Sequence, residues 1–394
     1  MEIGYSQQII TPRLDRPVFL AGFGQNRRAQ TVHDDLYARA LALRDGSNTL
    51  VLCAMDLIGF FRPDVMNVTR RVSELTPGIQ VILVSTHTHH GPDTMGLWGP
   101  DDKTCGVDPD YMTTIKDKIS RVIISSLENM QPAKIKYTSV QLPGLAKNAR
   151  DPMIVDNELT LAQFTHSEND LPLVTLFNFP CHPEVLSSQN THITSDYPGV
   201  LRREVEAATG APCIFFPGAL GGMMTPNVID HSFVEAETMG KKLAEEGLRR
   251  LNLTTNSMDA GFKKQTCLIR VKLTNLLFKL AIRRGLLPDL RDRQGFVNSE
   301  VNLLKIDGLW LATVPGELLP KLGLAIKKEL HAAGALVAGI IGLANDELGY
   351  ILPKEDFHYP LNPFRPEKHY EETMSLSKTI GPAVVEAIHT ILRS

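Results

Sequence analysis

Residues 81–94 read VILVSTHTHHGPDT, an apolar run that ends in a group of histidines. The run Val81–Val84 has the composition of a buried strand. Three of the chain's twelve histidines, His87, His89 and His90, fall within four positions shortly after it. Imidazole is the commonest metal ligand among side chains. The end of this strand is therefore a candidate metal site, if other parts of the chain supply further ligands.

Composition and charge exclude several classes of protein. Of 394 residues 43% are hydrophobic, and the formal net charge is −3. This near-balance of charge argues against nucleic acid or an anionic membrane as the main partner. No apolar run approaches the roughly 20 residues of a transmembrane helix, and the opening MEIGYSQQIITPRLDRP does not resemble a signal peptide. The five cysteines lack regular spacing, which favours reduced thiols, so we expect a soluble, cytoplasmic protein.

Apolar runs alternate with amphipathic stretches along the chain, which is typical of an α/β protein. We predict mixed β-sheets flanked by helices, in a single domain over residues 1–394. The predicted strands are Thr49–Met55, Gln80–Ser85, Lys134–Ser139, Pro172–Asn178, Pro212–Phe216, Leu309–Val314 and Leu336–Leu343. The predicted helices are Pro63–Leu75, Pro109–Met130, Pro198–Ala208, Phe233–Leu251, Glu317–Leu330 and Glu371–Ile391. Residues 252–300 have mixed periodicity and many charges, which indicates an insertion or a flap.

Three more predicted strands run out into residues that can bind a metal. His182, Glu317 and Tyr350 each follow such a strand. Taken singly, they also suit a turn, a helix start and a core tyrosine. Reactive groups of α/β sheets gather at the carboxyl ends of strands, so these side chains could meet His87. Two histidines and a glutamate, with one position open for water, are the ligands of a catalytic zinc.

An ordered set of motifs runs through most of the chain. It comprises Ala21-Gly-Phe23, His33-Asp-Asp-Leu-Tyr-Ala-Arg-Ala40, Ala54-Met-Asp56, Ser85-Thr-His-Thr-His89, Asn148-Ala-Arg150, His182-Pro183, Thr194-Ser-Asp-Tyr-Pro-Gly199, Val314-Pro-Gly-Glu317 and Gly342-Leu-Ala-Asn345. In this order the motifs resemble the neutral/alkaline non-lysosomal ceramidase family, in its N-terminal catalytic domain. Each motif is weak alone, and the ordered set is specific.

The resemblance implies a catalytic domain of the neutral-ceramidase type and the positions of its functional residues. It implies one Zn²⁺ held by His87, His182, Glu317 and Tyr350. It also implies His89, Tyr370 and Arg150 as catalytic residues, and Gly22, His33 and Thr225 as substrate-binding residues. Alternation along a strand would point His87 and His89 into one cavity and His90 elsewhere. Asp196 is expected either to orient a ligand histidine or to cap the helix that follows it.

Two departures from the family pattern bear on the substrate. Met223 stands where the family has the aspartate of a GD-x-S-P or GD-x-N-P turn, and Thr225 takes the serine position. The C-terminal immunoglobulin-like domain of the long ceramidases has no counterpart in these 394 residues. The substrate therefore need not be ceramide.

The predicted function is that of a zinc-dependent amidohydrolase acting on an N-acyl amine. A zinc esterase or lactonase would use the same site with another leaving group, and the sequence does not separate them. A non-catalytic ligand-binding relative with a decayed site is the third alternative, supported by Met223. The expected partner is a small acyl-amide substrate, and a homo-oligomer is compatible with the apolar helices.

Overall fold

The structure, a computed structural model, describes residues 1–254, 258–358 and 370–394. The strands are β1 Glu2–Ile9, β2 Thr31–Val32, β3 Tyr37–Asp45, β4 Asn48–Met55, β5 Ile79–Ser85, β6 Gln131–Gln141, β7 Ala146–Asn148, β8 Glu158–His166, β9 Pro172–Phe179, β10 His192–Ile193, β11 Cys213–Pro217, β12 Met224–Pro226, β13 Phe262–Lys272, β14 Phe296–Ile306, β15 Leu309–Thr313, β16 Glu317–Leu318, β17 Val337–Ile341 and β18 Tyr350–Ile351. The helices are α1 Arg62–Leu75, α2 Pro109–Ser125, α3 Tyr197–Thr209, α4 Phe233–Asn252, α5 Leu276–Arg283, α6 Pro320–Ala332, α7 Tyr370–Thr373 and α8 Ile380–Arg393.

Two mixed sheets form the centre of the fold. The larger has eight strands in the order β11-β9-β8-β6-β1-β3-β4-β5, and the smaller has four in the order β13-β14-β15-β17. Parallel pairs occur at both edges of the larger sheet, and β15 and β17 are parallel in the smaller one. The two-residue strands β16 and β18 pair in parallel by themselves. The expectation of mixed sheets flanked by helices is confirmed.

The two sheets face each other across a shared apolar core. Leu52 and Phe164 of the larger sheet are buried there with Leu304 and Ile341 of the smaller one. The outer face of the larger sheet is covered by α1 and α2 on one half and by α3 and α4 on the other. The outer face of the smaller sheet is covered by α6 and α8. Most of each sheet is thus covered on both faces, in a helix–sheet–sheet–helix arrangement, and one face of the edge strand β13 is exposed. Among the helices of the described residues, none has the length and apolar character needed to cross a membrane.

The larger sheet curls so that its two edges approach each other. Strand β11, at one edge, lies against β4 and β5 at the other, as twisted sheets of this size often do. The loop after β17 fastens the smaller sheet to β5. The N–H of Asn345 donates to the carbonyl of Leu83 at 2.8 Å, and Oδ1 of Asn345 accepts from the N–H of Leu83 at 2.8 Å. The carboxyl ends of β5, β9, β15 and β17 are consequently brought together.

Each predicted strand is present within three residues of its expected ends, but three of the predicted helices differ from their expected bounds. The helix expected at Glu317 begins at Pro320, because residues 317–318 pair with β18. The helix expected over Glu371–Ile391 is divided between α7 and α8. The carbonyl of Met374 leaves the helical pattern and accepts the N–H of Tyr350 at 3.0 Å instead. The helix expected from Pro109 ends at Ser125, earlier than Met130.

The segment 252–300 forms part of the smaller sheet. It contains β13, which pairs with β14 along its whole length, and α5 between them. Phe278 and Ile282 of α5 pack with Phe61 and Leu287 in a separate apolar cluster. Only the stretch around α5 therefore lies over the candidate site described next.

Candidate metal centre and active site

The side chains of His87, His182 and Glu317 converge on one point. Nε2 of His182 lies 3.0 Å from Oε2 of Glu317, and Nε2 of His87 lies 3.6 Å from the same oxygen. Ligand atoms about 2.0–2.1 Å from a tetrahedral zinc are roughly 3.3 Å apart. The three atoms therefore have the spacing of metal ligands. They belong to residues that follow three of the four strands predicted to lead into the site.

The far nitrogen of each of these two imidazoles faces a backbone carbonyl. Nδ1 of His87 lies 2.5 Å from the carbonyl oxygen of Ile58, and Nδ1 of His182 lies 2.9 Å from that of Met224. Because a carbonyl can only accept, each Nδ1 carries the proton, and Nε2 of a neutral ring keeps its lone pair. Histidines that bind metals are commonly oriented in this way.

Electrostatics keep Glu317 ionised in spite of its burial. Burial alone would raise the pKa of this carboxyl, but the two imidazoles outweigh it and hold the pKa below its ordinary value. Burial alone would lower the pKa of His182, but the hydrogen bond to Glu317 raises it to about 9. A buried carboxylate at this point requires a positive charge beside it, from a protonated imidazole or from a cation.

The backbone at His87 is in the left-handed region, with φ +69°. Strand β5 ends at Ser85, so His87 and His89 belong to the turn that follows, and strand alternation is not what aligns them. The N–H of His87 donates to the carbonyl of Leu57 at 2.9 Å, and that of His89 to Pro183 at 3.1 Å. These bonds hold a conformation that costs on the order of 1–3 kcal/mol for a residue with a side chain.

Tyr350 lies next to Glu317, since the two residues are direct partners in the β16–β18 pair. Its side chain is buried, and its hydroxyl lies 3.3 Å from Sδ of Met223. Burial, followed by the charge of Glu317, raises the pKa of the phenol well above its ordinary value. The turn at Met223 thus packs against Tyr350, while the carbonyl of Met224 orients His182.

His89 adds a third imidazole to the cluster. The metal-binding nitrogens of His87, His89 and His182 lie within 4.8 Å of one another. Burial lowers the pKa of His89 to about 3, although the nearby Glu184 acts in the opposite direction. Nδ1 of His89 lies 3.1 Å from Oε2 of Glu184, and Thr225 lies close to the same carboxylate. Sequence reasoning assigned no role to Glu184; its only local signal was its place two residues after His182.

A narrow cavity of about 40 Å³ opens onto these groups. His87, His89, Glu317 and Tyr350 line its polar side, and Gly22 and Tyr370 are also at its wall. The remaining wall is mostly apolar and includes Ile58, Phe61, Met95, Leu97, Trp98, Phe278, Leu287 and Met374. The cavity therefore combines a polar end with a mostly apolar wall.

We expect Gly22→Ala to lower kcat/KM for the reaction at this site by roughly 100-fold. Gly22 has φ +97°, and a methyl group there would overlap the ring of His89. Displacing a reacting group by about 1 Å can cost that much. The control is Gly24→Ala, where an added methyl meets nothing within 4 Å. Full activity of Gly22→Ala, with an unchanged thermal midpoint, would contradict the placement of His89.

Comparison with known proteins bears on this geometry. The model of the family "Neutral/alkaline non-lysosomal ceramidase, N-terminal" matches residues 2–232, more than half of the chain. The chain belongs to this ceramidase family. Two solved structures resemble the chain: neutral ceramidase from Pseudomonas aeruginosa, with 18% sequence identity, and a ceramidase complexed with C2, with 17%. Each superposition has a TM-score of 0.81 and includes 99% of this chain and 74% of the other chain, which confirms the fold. No curated protein sequence matches the chain.

In this member of the ceramidase family, Arg150 anchors the segment that carries Tyr370. Its guanidinium donates to Glu371 at 2.7 Å and to both oxygens of Glu372 at 2.8 and 2.9 Å. It also donates to the carbonyl of Asp356 at 3.0 Å. Arg150 is not among the residues that line the cavity. Arg150 thus holds α7, in which Tyr370 stands 5.8 Å, ring to ring, from Tyr350, and its assignment as a catalytic residue stays a prediction.

His33 and Thr225 do not reach the cavity of this ceramidase relative. The ring of His33 stacks on Phe233, with centroids 3.8 Å apart, in a separate cleft of about 580 Å³. Thr225 lies behind the cavity, against Glu184. Neither residue is among those that line the cavity, and their role in substrate binding stays a prediction.

His90 and Asp196 form a structural pair. Asp196 accepts the N–H of Tyr197 at 2.7 Å as the cap of α3. Its Oδ2 lies 3.4 Å from Nε2 of His90, which points away from the other histidines. Of the two expectations for Asp196, the helix cap is the confirmed one.

Proposed function

We propose that this protein is a zinc-dependent amidohydrolase that cleaves N-acyl amines. One observation carries the proposal: Oε2 of Glu317 lies within 3.6 Å of the Nε2 atoms of both His87 and His182, in a chain of the ceramidase family. A carboxylate and two imidazoles in tetrahedral spacing are the ligands of catalytic zinc sites. Tyr350, the strand partner of Glu317, would be the fourth ligand.

The donor atoms suit zinc better than the harder cations. Magnesium and calcium prefer six or more oxygen ligands, whereas this site offers two nitrogens, one carboxylate and one phenol. When zinc is bound in such a site, it polarises a carbonyl group and lowers the pKa of a bound water to about 7. Glu184 lies beside His89, at 3.1 Å from its Nδ1.

The residues around the proposed ligands have roles in the hydrolysis of an amide. The hydroxyl of Tyr370, at the cavity wall, donates a hydrogen bond to the carbonyl oxygen as negative charge develops on it. A donor of this kind is typically worth about 10²–10³ in rate. His89 is uncharged at neutral pH, so it can take a proton from the attacking water and pass it to the nitrogen of the leaving amine, with its ring beside Glu184. The apolar wall holds the acyl or alkyl chain.

The proposal is tested by metal analysis and by a panel of substrates. We expect about one zinc per chain, loss of turnover with a chelator, and recovery when zinc is added. The panel pairs N-acyl amines, including ceramide because of the family's name, with esters of the same acyl groups. Hydrolysis of the esters alone would favour the esterase alternative. Absence of bound zinc, or of turnover of any amide by the zinc-loaded protein, would contradict the proposal.

A further inference from the structure

A second acidic side chain faces the cavity beside the proposed ligands. Glu347 lines it together with His87 and Glu317, and only 2% of the residue is exposed. Its Oε1 accepts the N–H of Gly349 at 3.1 Å. Its Oε2 is buried and has no hydrogen-bond partner among residues 1–254, 258–358 and 370–394. One oxygen of this carboxyl group is therefore fixed to the backbone, and the other is open.

The neighbouring acid, Asp346, does not share this arrangement. Asp346 is equally buried, but it accepts from the hydroxyl of Ser299 at 2.9 Å and from the N–H groups of Arg62 and Glu347 at 3.0 Å. Leaving a buried polar atom unpaired costs about 1–3 kcal/mol, and more for a charged group. Such an atom in a native cavity requires an explanation, and a bound ligand supplies one.

The place of Glu347 in the cavity indicates what this ligand looks like. Glu347 also lines an adjoining apolar recess, which it shares with Phe61, Phe278 and Leu287. It thus lies between the proposed metal ligands on one side and hydrocarbon on the other. A molecule that fills both spaces presents a carbonyl to the histidines, a hydrogen-bond donor to Glu347 and an apolar chain to the recess.

We propose that Glu347 is a specificity-determining residue, which accepts a hydrogen bond from an N–H or O–H group that the substrate carries close to its scissile amide. The inference rests on the proposed function, since it concerns the same cavity. The donor is a neutral hydroxyl or an ammonium group, and both would satisfy the open oxygen. A site built to bind such a group rejects an analogue that lacks it, because the buried acceptor is then left unpaired.

Three amides with one common acyl chain test the inference. Their amine parts are 2-hydroxyethyl, 2-aminoethyl and propyl, which have similar size and differ in the terminal group. We expect kcat/KM to favour at least one donor-bearing amide over the propyl amide by about 10–100-fold. Glu347→Met should reduce this preference to less than about threefold. Glu347→Gln keeps an acceptor oxygen, so it should retain a preference for hydroxyl and lose any extra preference for ammonium.

The control is Asp346→Asn, a change in the adjacent acid that does not line the cavity. Its preference among the three amides should equal that of the unmodified protein. Ratios within one variant do not depend on how much of it folds. Equal kcat/KM for all three amides in the unmodified protein would overturn the inference and leave the proposed function intact.

A binding measurement keeps the inference testable if no amide is hydrolysed, an outcome that would count against the proposed function alone. Calorimetry compares a long-chain 2-amino alcohol with the n-alkylamine of equal length. We expect the amino alcohol to bind at least about tenfold more tightly, and Glu347→Met to remove the difference. Equal affinities in the unmodified protein would overturn the inference.

Discussion

Glu317→Ala is expected to release the zinc and to lower kcat/KM for amide hydrolysis at least about 1000-fold. Oε2 of Glu317 is the atom that both proposed ligand imidazoles approach, at 3.0 and 3.6 Å. Without it, the site loses its only negatively charged ligand, and two neutral rings hold a divalent cation weakly. Zinc content per chain and turnover of an N-acyl amine are the two measurements, made on the same preparation.

A surface His–Glu pair provides the control for this prediction. Oε2 of Glu329 lies 2.9 Å from Nε2 of His389, and both side chains are more than a third exposed. Glu329→Ala should change neither zinc content nor turnover. If Glu317→Ala keeps a full zinc complement, the assignment of this carboxylate as a ligand is wrong. His87, His89 and His182 would then be the ligand set to test.

Asp56→Asn is expected to lower the free energy of unfolding by about 3–5 kcal/mol. The carboxylate of Asp56 accepts two hydrogen bonds from the guanidinium of Arg202, each at 2.8 Å, with both side chains buried. It also accepts from the hydroxyl of Thr86 at 3.1 Å. Removing the negative charge leaves Arg202 buried and uncompensated, and it loosens the turn that presents His87. Urea unfolding measures the first effect and zinc affinity the second.

An exposed ion pair separates this effect from a general effect of charge. Arg70 and Glu74 lie one turn apart on α1, at 2.7 Å, with side chains about 60% exposed. Glu74→Gln should leave the unfolding midpoint nearly unchanged, because exposed pairs contribute little. An equally small change for Asp56→Asn would show that the buried pair does not stabilise the fold.

The site was more predictable than the elements that carry it. An apolar run followed closely by a residue that can bind a metal is a signal that can be read from the local sequence. His182, shortly after β9, is a clear instance. The strand at Glu317 had no such signal, since a glutamate before Pro320 is also how helices begin. Its pairing with Tyr350, 33 positions later, decides its conformation. The long strand β13 was missed because one of its faces is exposed and charged, which gave the segment mixed periodicity.

The contacts of Arg150, Glu184 and Glu347 were not predictable from local sequence. Each depends on a partner, or on the absence of one, that only the folded chain defines. Arg150 meets Glu371 and Glu372 more than 200 positions away. Glu347 and Asp346 are neighbours in sequence with the same charge, and only the fold gives one a full set of donors and leaves the other with an open oxygen.

The left-handed backbone at His87 lowers the stability of the fold, while the side chain at the same position serves the proposed activity. Glycine and asparagine tolerate this conformation better than histidine does. Selection for resistance to heat alone would therefore favour glycine or asparagine in place of His87. Either replacement removes the imidazole nitrogen on which the proposed chemistry depends. Natural or engineered relatives with glycine or asparagine at this position should be more thermostable and should lack the proposed activity.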